Sequence, residues 1–117
     1  MSSVCNYKGL NRQSNLSEAD LSGINLSGVN LSNVNLSGAN LSGTNLSKVD
    51  LTGSNLTKAD LTGTKLVNAN LTGADLTEAN LNKANLSGAN LSGTNLSKAN
   101  LTGVNLRNSY LEENLIT

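Results

Sequence analysis

The chain of 117 residues contains no histidine, no phenylalanine and no tryptophan, and only one cysteine and two tyrosines. Each shortage removes a class of function. Without histidine the commonest general base and metal ligand is gone. A single thiol, Cys5, makes neither an intrachain disulfide nor a zinc site of the usual kind. With Tyr7 and Tyr110 as the whole aromatic complement, a base-stacking platform has almost nothing to build with. Lys plus Arg is 8 and Asp plus Glu is 8, so the chain is formally neutral. It therefore lacks both the basic footprint of a nucleic-acid binder and the acidity of a polynucleotide mimic. No apolar run approaches the ~18 residues of a membrane span. The opening MSSVCNYKGL lacks the apolar core of a signal peptide, so the expected location is the cytoplasm.

What is abundant is order. From Leu16 to Leu111 a leucine stands at every fifth position. Taking that leucine as position 0, position −2 is small or β-branched and −1 is almost always Asn or Asp. Position +1 is mostly Ser or Thr, and +2 is Gly, Lys, Glu or Asn. The abundant Asn-x-Ser/Thr triplets follow from this register and carry no glycosylation signal of their own.

A five-residue period suits neither regular structure. On an α-helix, five residues advance about 140° net, so the leucines spiral. On a flat strand an odd spacing sends successive leucines to opposite faces. A chain that turns once per unit resolves the conflict. Positions −2 and 0 then point inward, −1 and +1 outward, and +2 lies at the bend, where glycine is at ease. The product is an all-β parallel solenoid. Ala19, Ala39, Ala59, Ala79 and Ala99 recur at −2 every twenty residues, which indicates four units per coil.

Units such as Ala59-Asp60-Leu61-Thr62-Gly63 and Ala74-Asp75-Leu76-Thr77-Glu78 match the A(D/N)LXX consensus position by position, and the chain resembles the pentapeptide-repeat family. The resemblance implies a right-handed quadrilateral β-helix of about five coils of four pentapeptides. Residues 14–113 form the repeat body, 1–13 an off-register N-terminal cap, and 114–117 a C-terminal cap or tail. In the family the C-terminal end is often a dimer interface, so monomer and end-to-end homodimer both stay open.

The serines have no partner to activate them. Asp20 and Asp60 share a face but stand two coils apart, with Asn40 between. The glycines mark corners and form no phosphate loop. No catalytic, cofactor-binding or metal-binding residue is assigned, no cofactor is expected, and the chain is read as no enzyme. Expected instead is a structural or protein–protein interaction module with an unknown protein partner, and neither nucleic acid nor membrane. A topoisomerase-protecting DNA mimic is the alternative, disfavoured by the neutral charge and the absence of Phe. An ice-binding or other ordered surface is a second, on rows such as Ser32, Thr52, Thr72 and Ser92.

Candidate interaction positions are those that depart from the repeat. Lys65 replaces Asn at −1, beside Val67 at +1. Arg107, Tyr110, Glu112 and Glu113 interrupt it near the C-terminus. Asn at −1 is expected to stack on Asn one coil on, as an amide ladder bonded along the axis. Finally, Leu36–Thr57 recurs nearly unchanged as Leu86–Arg107. That displacement of fifty residues is two and a half coils, so the copies fall on opposite faces.

Overall fold

In a computed structural model, residues 14–112 are described. Parallel one-residue bridges join −1 positions twenty residues apart, from Asn15↔Asn35 to Asn90↔Tyr110. Four units thus bring the chain back alongside itself. The −1 residues form four columns, each the midline of one face, and the N-terminal and C-terminal caps lie outside the described residues.

Backbone hydrogen bonding explains why the unit has five residues. The leucine N–H donates to the −1 carbonyl of the next coil, as Leu56 does to Asp75 at 2.7 Å. The +2 N–H donates to the +1 carbonyl of the next coil, as Lys58 does to Thr77 at 2.9 Å. The −1 N–H reaches back to the −2 carbonyl of the previous coil, as Asp60 does to Ala39 at 2.9 Å. The −2 N–H closes a turn onto the preceding leucine carbonyl, as Ala59 does to Leu56 at 3.0 Å. One donor per unit, the +1 N–H, is left without a backbone acceptor.

The turn sets the corner. Every described +2 residue has positive φ, between 59° and 73°. With the bond from residue i+3 back to the leucine carbonyl, this is the pattern of a type II turn. Ten of these positions are glycine. Nine are not, including Lys48, Lys58, Lys83 and Lys98. Left-handed backbone costs a residue with Cβ about 1–2 kcal/mol, so those corners are held by the hydrogen bonds around them.

Inside, Leu21 through Leu96 and the alanines and valines at −2 make one continuous core. The leucines from Leu26 to Leu71 are fully buried. Towards the last coil cover thins, and Leu111 is 46% exposed. The interior also holds hydroxyls. Thr44 donates to the Leu21 carbonyl at 2.9 Å and Thr94 to that of Leu71 at 2.8 Å, tying coils together. Thr64 donates to Leu61 within its own turn at 2.9 Å. The buried Ser54 hydroxyl has no partner.

Candidate functional site

The donor left over in each unit is satisfied by the residue at −1. In eighteen units the Asn or Asp side-chain oxygen accepts the +1 backbone N–H at 2.9–3.1 Å. This is an Asx turn, for which Asn and Asp are the natural residues. In eight units the +1 hydroxyl donates to the same oxygen at 2.6–2.8 Å. The expected amide ladder is thereby corrected. The residues do stack coil on coil, but their observed side-chain hydrogen bonds run within the unit. The signal was present in the pairing of Asn or Asp at −1 with Ser or Thr at +1.

At Asp20 this geometry has an electrostatic consequence. The Ser22 hydroxyl at 2.8 Å and the Ser22 amide at 3.1 Å both donate to the carboxylate and hold its pKa below the ordinary value. Asn40 bridges both Asp20 and Asp60, so it separates the two carboxylates as expected from the register.

Lys65 sits in register. Its backbone bridges Asn45 on one side and Asn85 on the other, and its side chain is exposed. What it lacks is the side-chain oxygen, so no Asx bond forms to Val67. Arg107 is exposed and keeps its Asx bond to Asn105 at 2.9 Å. Tyr110 occupies the −1 place beside Asn90, is 53% exposed, and donates its hydroxyl to the Glu112 carboxylate at 2.7 Å. Glu112 also accepts the Gly93 N–H through its carbonyl at 2.8 Å. Glu113 lies outside the described residues. These positions do not converge. Lys65 and Arg107 share one face, while Tyr110 and Glu112 lie on the next.

Among the described residues no cavity is present and no cluster of Asp, Glu, Cys or His has the makings of a metal site. No helix there is long and apolar enough to cross a membrane. What the molecule offers chemically is a set of ordered faces, with backbone and side-chain groups tied down locally.

A family model described as pentapeptide repeats (8 copies) matches residues 14–53, 54–93 and 79–113. Among solved structures, the chain is similar to the pentapeptide repeat protein Rfr23 from the cyanobacterium Cyanothece 51142. The two are 31% identical over 89% of this chain and 88% of that one, with a TM-score of 0.63. HetL, a pentapeptide repeat protein involved in heterocyst differentiation regulation in the cyanobacterium Nostoc sp. strain PCC 7120, is 36% identical. That match covers 78% of this chain and 42% of HetL, with a TM-score of 0.47. QnrB1 (R167E, trypsin treated), a plasmid-mediated fluoroquinolone resistance protein, is 18% identical over 86% of this chain and 69% of that one. Its TM-score of 0.53 is a likeness of fold alone. The comparison with curated proteins finds no match.

Proposed function

The chain belongs to the pentapeptide-repeat family, and we propose that it is a non-catalytic structural or protein–protein interaction module. Its body is a right-handed quadrilateral β-helix of about five coils of four pentapeptides. The near-equal short dimensions of the molecule, 21 and 20 Å, support the square section.

The observation that carries this reading is the backbone accounting. In a typical unit all five N–H groups are used, four by backbone carbonyls and the fifth by an Asx oxygen. A scaffold of that kind presents exposed side chains in fixed rows, which favours binding through surfaces already in place.

The two other readings find less support. The QnrB1 likeness concerns fold, and this chain is neutral and has no Phe. For an ordered hydroxyl surface, free and aligned hydroxyls are wanted. Here Ser32, Thr72 and Ser92 each donate their hydroxyl to an Asn in their own unit.

Crosslinking and pull-down from the native host at several protein concentrations, combined with light scattering, tests the proposal. A specific partner, or an end-to-end homodimer, supports it. A chain that stays monomeric and enriches no partner overturns it. Gyrase supercoiling with and without a fluoroquinolone separates off the DNA-mimic reading, since an interaction module gives no protection.

A further inference from the structure

The net charge of zero conceals a division by face. One face is centred on the column Asn25, Asn45, Lys65, Asn85 and Asn105. Lys65 lies on its midline and Arg107 at a +1 place beside Asn105. Lys83 and Lys48 stand at its two bounding corners, and all four side chains are exposed. Among the described residues no carboxylate occurs at any −1, +1 or corner place of this face. The carboxylates Asp20, Asp60, Asp75, Asp50 and Glu112 occupy the other three faces, and Glu18 and Glu78 share the corner column of Lys58 and Lys98.

The four cations fall one per coil in four successive coils, in steps of ~4.8 Å along the axis. They also depart from the repeat in ways the fold does not reward. Lys65 forfeits the Asx bond that eighteen other units make. Lys83 interrupts a corner column otherwise made of glycine, and takes a φ of 63° to do so. Lys48 stands at a φ of 61°. Arg107 is one of the few places where the second copy of the duplicated segment differs from the first, which has Thr57. Charged residues at positive φ occur at other corners too. What sets this face apart is that the charged departures on it all have one sign.

We propose that this face is a docking surface for an acidic protein segment, one that lays its side-chain carboxylates across the width of the face. The inference rests on the interaction role proposed above and names its surface and the chemistry of its partner. Charge density and the borders of the face decide between polyanions. Four cations spread over about 14 Å of axis meet about eight duplex phosphates, at one per ~1.7 Å. The carboxylates on the two adjacent faces, Asp20 and Asp60 on one side and Asp50 on the other, oppose any polyanion broad enough to wrap around the edges. Among the described residues no aromatic lies on this face to stack a base. A second copy docking symmetrically would set four cations against four.

The test uses a variant built from the repeat's own residues: Lys48→Gly, Lys65→Asn, Lys83→Gly and Arg107→Thr together. Because each change restores a residue the repeat favours, its thermal midpoint is expected to equal or exceed that of the native chain, so a loss of binding reports on charge. The probe is a fluorescent glutamate-rich peptide, with duplex DNA and phosphatidylserine-containing vesicles as rivals. The native chain binds the peptide, and binding weakens steeply between about 0.01 M and 0.15 M salt, as the Debye length falls from ~30 to ~8 Å. The fourfold variant binds about tenfold more weakly, a difference of about 1.4 kcal/mol. Lys58→Gly with Lys98→Gly, on the opposite side, changes nothing. Equal binding by native chain and fourfold variant, or no salt-dependent binding at all, overturns the proposal. So does tighter, lysine-dependent binding of DNA or vesicles. A host partner that binds the fourfold variant as well as the native chain overturns the face while leaving the interaction role standing.

Discussion

Asn or Asp at −1 is the residue on which each unit closes, because it alone reaches the +1 N–H. The Lys65 unit is a natural deletion of that bond. Lys65→Asn is expected to stabilise the chain by about 0.5–1.5 kcal/mol, the net worth of a hydrogen bond. Asn70→Ala, which removes an Asx bond of 3.1 Å, is expected to cost a similar amount. Urea denaturation of the two variants checks the opposite signs. At the corner, Gly43 has a φ of +66° and open space where a Cβ would sit. Gly43→Ala therefore isolates the cost of left-handed backbone, about 1–2 kcal/mol. Acidity gives a third readout at this scale. The folded pKa of Asp20 is lowered, so its contribution is present above the unfolded value of about 3.9 and lost as pH falls through the folded value. Carboxyl NMR should find Asp20 titrating below that value. Asp20→Asn, which keeps an acceptor for Ser22, should flatten the matching part of the stability curve below about pH 4.

Within the coil, inward and outward positions were legible from residue type. Leucine at 0 and small residues at −2 are buried as the five-residue register requires, and the bend falls at +2. Other features were not legible. Lys48 and Glu78 share the left-handed conformation of Gly43, a fact their identities hide because the corner is dictated by the bonds on either side. The local bonding of the −1 side chains is hidden for a related reason. Stacking of identical residues is visible in a periodic sequence, whereas the competing local acceptor appears only once the +1 N–H is seen to lack one. Lys65 and Arg107 were legible as departures from the repeat. Their company with Lys48 and Lys83 was not, since those lysines look like ordinary +2 residues until the coils align. Interior polarity yields a prediction at this scale. Ser54→Ala deletes a buried hydroxyl that has no partner and is expected to be neutral or stabilising. Thr44→Val removes the bond between coils to the Leu21 carbonyl and is expected to cost about 1–3 kcal/mol. Thermal melts of the pair decide it.

For the molecule as a whole, twenty-residue alignment is the premise from which the core, the faces and the charge division all follow. It makes the leucine file continuous, so Leu56→Ala at its centre should cost about 2–5 kcal/mol, far more than Leu111→Ala at the exposed end. The alignment also places the duplicated segments on opposite sides, with Lys48 and Lys98 two and a half coils apart. The most direct test is disulfide trapping in a chain freed of Cys5. Cysteines replacing Asn35 and Asn55 stand across one parallel bridge, where strands ~4.8 Å apart bring Cα atoms within the 4.4–6.8 Å that a disulfide spans. Mild oxidation should join them rapidly and intramolecularly, with the fold retained. Cysteines replacing Asn45 and Asn55, half a coil apart on opposite faces, should stay reduced. Trapping of the second pair in preference to the first would contradict the twenty-residue coil and everything built on it.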